Sequence, residues 1–361
     1  MIKWRMMNQK RVALFKEYER LTGRPLLCYV TSLRSGVNVQ MGMDAVPEII
    51  RHINLIPTDK KEIDFLIISN GGDPICSLRI MNILSERFKS INVLVPYIAF
   101  SAATLLALGA NKIVMHPYSN LGPVDPQIRT EQKMQDGTSV VAQYPAEDIK
   151  NYFNFIREDV GLIEQPSLTH ALSALTQQVQ PMAIGFAKSS SELAKSLCEK
   201  LLGRHMQDKD KAQRIARSLI SSFYNHGYAV SRKEAKRIGL NVEKPSTEIE
   251  VLLWKIWEEF ERDMQLSKRF NPQQEIQNNP EYQRFLVSDR ETIQLRNQLY
   301  VASVESVSAR STNYDMTTVI ANKVVQEVDI NGRREKRAGI NHIQLVDRTG
   351  FTFHRMNEGG E

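Results

Sequence analysis

The chain has 361 residues, more than one average domain needs, and its 42% apolar content suits a sizeable buried core. Its formal net charge of +6 is mild for this length, and the basic residues are interspersed with acids. That pattern speaks for an ordinary solvated surface, with weak attraction to nucleic acid or anionic lipid left open.

In chain order, Lys10 to Thr22 has Val12, Leu14, Phe15, Tyr18 and Leu21 at helical spacing, stopped by Gly23-Arg24-Pro25. Leu26 to Thr31 reads as a strand, Ser32 to Met43 as a loop or hairpin, and Asp44 as the start of a helix carrying Val46, Ile49, Ile50 and Ile53. From Asp64 to Gln127 short apolar runs alternate with helical spacing. Phe65 to Ser69 is a strand, broken at Asn70-Gly71-Gly72-Asp73-Pro74, and Ile75 to Phe88 a helix. Ile91 to Val95 is the next strand, followed by a helix that starts beside Ser101 and then by the strand Lys112 to Met115. This is the signature of parallel βα units. Arg129 to Gly137 reads as an exposed loop and Thr138 to Gln143 as a short strand. Pro145 begins a helix, with further helices over Leu168 to Phe186, Ser191 to Leu202 (capped by Ser189-Ser190-Ser191-Glu192), Lys209 to Ser222 and Ser231 to Ile238. Glu248 to Met264 is amphipathic, and Phe270 to Tyr282 is a polar linker. Beyond Phe285, strand-like runs flank Asn331-Gly332, a hairpin signal, and Asp347 to Gly350 suggests another turn. The basic run Arg333 to Arg337 reads as a solvated hairpin tip, with an acidic partner as the alternative.

The Asp64–Gln127 stretch carries chemistry. A serine at a strand-to-helix turn has its hydroxyl near free N–H groups and the positive end of a helix dipole. A Gly-Gly turn after a neighbouring strand lets backbone N–H groups face a ligand because no Cβ intervenes. Together they offer a nucleophile, Ser101, and an oxyanion hole from Gly72 and Ala102 N–H groups, with Gly71 shaping the turn. Each feature alone is more often a plain structural turn. Found together, one strand unit apart, they favour acyl transfer.

Asn70-Gly71-Gly72-Asp73-Pro74, the run Ala99 to Ala110 and Leu121-Gly122-Pro123-Val124-Asp125-Pro126-Gln127 resemble the serine dehydrogenase proteinase family. That family is related to Clp peptidases and signal peptide peptidases, all of Clp/crotonase fold. The resemblance is strongest from Asp59 to Tyr152 and weaker on to Val242. It implies an α/β fold of stacked βα units, with the Ser231–Ile238 helix preceding the last core strand, and hydrolysis of peptide bonds. It also implies assembly into rings or dimers, and the apolar-faced helices from Leu168 to Leu202 likewise favour a homo-oligomer.

A serine needs a base. In Clp peptidases a histidine matches the region of Val124-Asp125, which here holds none; His116 lies earlier and reads as a loop residue. In archaeal relatives resembling signal peptide peptidases a lysine matches Asp148, and Lys150 lies two residues on, where a solvated role is at least as good a reading. Lys133 is a weaker candidate. His226 adjoins Gly227, which matches the Clp triad acid, and relatives share a histidine there; a structural histidine is an equal reading. Asp125 either orients an imidazole or a water, or caps the turn at Gly122-Pro123. The base therefore stays open among His226, Lys150 and Asp125-assisted water. Three rival functions stand beside the peptidase: a non-catalytic scaffold, a crotonase-like acyl-CoA enzyme, and, on the basic helices alone, a nucleic-acid-binding module.

Cys28, Cys76 and Cys198 are isolated and odd in number, which suggests neither a disulfide framework nor a CxxC zinc site and fits a reducing, cytoplasmic setting. No apolar run approaches ~20 residues, so no membrane span is expected, nor a secretion signal, a metal or a cofactor. The domain division is a Clp/crotonase-like serine peptidase domain over residues 1–245, a helix and linker over 246–284, and a small β-rich unit over 285–361, a site for a protein partner.

Overall fold

The computed structural model describes residues 2–37, 39–133, 139–221, 227–278, 292–303, 311–330 and 333–355. Five strands form a parallel sheet in the order β10 (Val242–Glu243), β5 (Lys112–Met115), β3 (Ser90–Val95), β2 (Glu62–Ile68) and β1 (Leu26–Thr31). Three antiparallel strands, β11 (Thr292–Ser303), β12 (Ser311–Ile330) and β13 (Arg333–Arg355), extend it beyond β1.

Side chains alternate between two apolar layers along each parallel strand, because successive Cβ atoms point to opposite faces. On one face Leu27, Tyr29, Ile63, Phe65, Ile67, Val93 and Val95 pack with α2 (Ala45–Leu55), α3 (Pro74–Arg87), α4 (Ala102–Leu108), α7 (Pro181–Leu202) and α8 (Lys209–Ser221). On the other, Leu26, Cys28, Val30, Leu66, Ile68 and Leu94 meet α1 (Ile2–Thr22) and α10 (Thr247–Met264). Burial on both faces explains why these strands read as continuous apolar runs. The fold is the α/β arrangement of Clp/crotonase type that the resemblance implied, and α9 (Arg232–Arg237) does precede the last core strand, β10. A small second sheet, β4 (Ile98–Ala99), β6 (Asn120–Leu121) and β9 (Val230–Ser231), lies beside the end of β2, joined through the Ser69–Ala99 bridge.

Several local readings are corrected. Arg129 to Lys133 is not loop: β7 (Gln127–Lys133) pairs antiparallel with β8 (Ser139–Pro145), each supplying the backbone partners that a polar sequence does not advertise. After α5 (Glu147–Asn154) and a π-helical turn (Phe155–Asp159), the expected helix from Leu168 to Phe186 is two helices. α6 (Gln165–Gln178) stops before Pro181, which is placed at the first turn of α7, where its missing N–H is harmless. The serines 189–191 therefore lie inside α7 and cap nothing. The polar linker holds α11 (Pro272–Asn278). Asp347 to Gly350 is not a turn but part of β13, where register shifts absorb the irregularity. The expected hairpin is present, with Ile330 opposite Arg333; Asn331-Gly332 itself lies outside the described residues.

Candidate active site

Ser101 stands at the start of α4 with φ +52° and ψ −116°, a conformation that non-glycine residues rarely adopt. Such strain persists only where the surroundings over-determine it. Here they do. All seven residues of α4 are buried, so the helix is anchored on every side despite its shortness. Gly71 has φ +104° and lies against the serine turn; a Cβ on it would come within 2.7 Å of the Phe100 carbonyl oxygen and 2.8 Å of Ser101 Cβ. Gly72 (φ +153°) is pressed from the other side, where a Cβ would sit 2.3 Å from the Met41 carbonyl oxygen. Gly71 and Gly72 are glycine for conformation and for space alike.

Buried hydroxyls lock the two turns together. Ser69, fully buried, accepts the Gly71 N–H on Oγ (3.0 Å) and the Thr31 hydroxyl proton (2.7 Å). Its backbone pairs with the serine strand, since Ser69 N–H donates to Ile98 O and Phe100 N–H to Ser69 O. Ser77 on α3 donates to the Ala102 carbonyl at 2.6 Å. Thr104 Oγ1 is 2.7 Å from Ala99 O and 2.8 Å from Gly122 O, tying the helix to β4 and to the segment after β6. Sequence reading passed over these positioning residues. Their one signal was a polar residue closing or interrupting an apolar run, as Ser69 closes Phe65–Ser69.

Among the described residues the Gly72 and Ala102 N–H groups have no protein partner, and neither has the Ser101 hydroxyl. Although Ser101 is the N-cap of α4, its side chain caps nothing. Unengaged N–H donors and an unengaged hydroxyl are the kinds of group that acyl transfer requires.

The candidate bases are placed differently. Lys150 projects from α5 with its side chain 67% exposed and its ammonium 3.6 Å from Glu147. Asp125 is buried and accepts the Gln127 side-chain amide at 3.0 Å. His226 lies outside the described residues. Lys133 ends β7 and Asp148 is exposed on α5. His116, the loop histidine, is buried against Trp254 (ring centroids 4.9 Å) and Tyr118, accepts the Tyr118 N–H on Nδ1, and is held below its usual pKa by burial. Among the described residues no group of three or more His, Cys, Asp or Glu side chains is placed to hold a metal.

Residues 31–160 match the family of ClpP-like SDH-type serine proteinases. The SDH-type segment contains Ser101, both glycines and Asp125, and agrees with the family that the motifs resembled. Two uncharacterized proteins of Methanocaldococcus jannaschii are similar to the chain. MJ0137 is 31% identical over 54% of this chain and 58% of its own length, so the chain spans less than two thirds of that relative. MJ1495 is 27% identical over 67% of this chain and 74% of its own. Among solved structures, a serine-to-alanine mutant of the 1510-N membrane-bound stomatin-specific protease aligns over 62% of this chain and 82% of its own, at 17% identity and a TM-score of 0.35. A lysine-to-alanine mutant of that protease in complex with a substrate peptide aligns over 63% and 97%, at 14% identity and a TM-score of 0.34. Among the described residues of the chain, no helix is long and apolar enough to cross a membrane.

Proposed function

We propose that the protein is a serine peptidase in which Ser101 attacks a peptide carbonyl. The N–H groups of Gly72 and Ala102 hold the oxyanion, and Gly71 lets that turn approach the serine. The observation that carries this reading is the positive φ of Ser101 at the start of a wholly buried helix, in contact with Gly71. A serine with no capping bond gains nothing from that conformation structurally, so a role for its hydroxyl accounts for it. The match of residues 31–160 to a serine proteinase family supports a peptide as substrate. The general base is His226, Lys150 or a water held by Asp125. A second reading, a scaffold that keeps the fold without turnover, is favoured by one observation: no described side chain engages the Ser101 hydroxyl. Three free, buried cysteines support a reducing cytoplasmic setting.

A fluorophosphonate probe separates the two. The peptidase reading expects labelling of the wild-type protein at Ser101, absent in Ser101→Ala, together with hydrolysis of an unstructured protein substrate. No labelling and no hydrolysis over a broad substrate set rejects it in favour of the scaffold. His226→Ala and Lys150→Ala then assign the base: the true one matches Ser101→Ala in rate, and the other stays near wild type.

A further inference from the structure

At the pole opposite Ser101, below the N-terminal ends of β2, β3 and β5, lies a cleft of about 520 Å³. That is within the size range of pockets for small organic ligands. Four cationic side chains line it, Lys61, Arg87, Lys89 and Arg204, against one carboxylate, Glu86. None of the four is in an ion pair among the described residues. Arg87 donates to the carbonyls of Lys60 (2.8 Å), Pro57 (2.6 Å) and Ile56 (3.3 Å), Lys61 to that of Thr58 (2.8 Å), and Arg204 to the Asn82 amide oxygen (3.0 Å). The Lys89 ammonium has no partner among the described residues. All the acceptors are neutral, so the charges stay uncompensated.

The plain structural role for these cations is to face helix C-termini. α3, α4 and α7 do end here, at Arg87, Leu108 and Leu202. Each such end carries about −0.5 of an elementary charge, which three helices raise to only about half of the net cationic charge on the walls. The remainder is positive and concave, a geometry that concentrates anions. His205 adds a directional group. Its Nε2 is 2.9 Å from the Leu108 carbonyl oxygen and so must carry the proton, leaving Nδ1 unengaged by that bond.

We infer that this cleft binds a phosphorylated small molecule through its phosphate chain, with Lys89 and Arg204 as the principal contacts and Arg87 as a fixed wall charge. The inference is independent of whether Ser101 is catalytic.

The test is calorimetric titration of the full chain with pyrophosphate and, separately, ATP, so that a free phosphate chain and a nucleotide are told apart. Sodium sulfate at matched ionic strength is the control. Saturable binding of at least one of the two is expected, with a rise in melting temperature that sulfate does not reproduce. Lys89→Gln/Arg204→Gln should weaken it about tenfold or more. Both side chains are exposed, so the fold should survive, and circular dichroism checks that. Lys16→Gln, an exposed cation outside the cleft, should bind like wild type. No binding beyond the sulfate effect overturns the inference. So does binding that the double variant leaves unchanged, or that Lys16→Gln weakens equally, since the charge would then act non-specifically.

Discussion

At Ser101 the side chain and the backbone make separate contributions. The hydroxyl makes no capping bond, so the loss of about 0.5–2 kcal/mol that follows removal of a true N-cap should not occur. Ser101→Ala is expected to abolish fluorophosphonate labelling and hydrolysis while moving the urea midpoint little. A large drop in midpoint would mean that the serine is structural. The glycines should behave in the opposite way. Gly72→Ala places a Cβ against Met41 at positive φ and should cost more than about 1 kcal/mol, measured by urea unfolding. Ser69→Ala leaves the buried Gly71 N–H without its acceptor, a loss of about 1–3 kcal/mol. It should also slow labelling of Ser101 by loosening the Gly71–Gly72 turn; destabilisation with an unchanged labelling rate would rule out that positioning role. His116 gives a pH signature. Burial lowers its pKa from 6.5, so the unfolded chain binds the proton more readily than the native one. Its contribution is complete above that value and is lost as pH falls below it. Between about pH 7 and pH 5 the wild-type urea midpoint should therefore fall more than that of His116→Phe. Equal slopes would contradict the assignment.

Helices α3 and α4 set the site because both begin at it, one behind the glycine turn and one behind Ser101, with the Ser77–Ala102 bond holding their starts in register. The opposite face depends on α10. Leu253, Ile256, Trp257 and Phe260 are buried there against β1 and α1, and Trp257 stacks on Tyr97 with ring centroids 4.1 Å apart. Trp257→Ala should cost about 3–5 kcal/mol. It should leave the labelling rate per folded molecule unchanged, because the serine turn sits on the other face. A fall in that rate without unfolding would show that the faces communicate. The helical pattern of α10 was plain in the sequence, but its partner layer was not, since periodicity marks a buried stripe without saying what covers it.

For the whole molecule, two proposals concern what lies beyond the parallel core. The arm around α6 and α7 leaves large apolar side chains exposed in the single chain, among them Ile163 (71%), Met182 (83%) and Phe186 (61%). A second copy covering them is the arrangement we propose, and light scattering at micromolar concentration should find a homo-oligomer. Monomer alone would reject it. The C-terminal strands join the core sheet through pairing of Leu27–Thr31 with Leu299–Ser303. A fragment of residues 1–284 should still unfold cooperatively, since its helices and parallel strands form the two apolar layers together. It should also self-associate through the β1 edge it uncovers. A molten fragment would show instead that β11 is part of the folding unit.

The order of the main strands and helices from Lys10 to Met115, the glycine turn and the serine at a helix start were legible from residue types alone. Each rests on local physics: the periods of 2 and 3.6, the positive φ that glycine allows, and the breaks made by proline. The pairing of the polar strand β7 and the continuation of β13 through Gly350 were not, because their strand partners decide them; the helix break before Pro181 is a local proline effect that the continuous apolar spacing masked. The same holds at the site. Sequence supplied Ser101, Gly71, Gly72 and Ala102 as neighbours in a pattern, whereas the hydroxyls of Ser69, Ser77 and Thr104 acquired meaning only where the fold set them against those backbone groups. The bonds of Ser69 to Thr31, of Ser77 to Ala102 and of Thr104 to Gly122 join residues far apart in the chain and leave no period in the sequence, so only the packed structure could assign them.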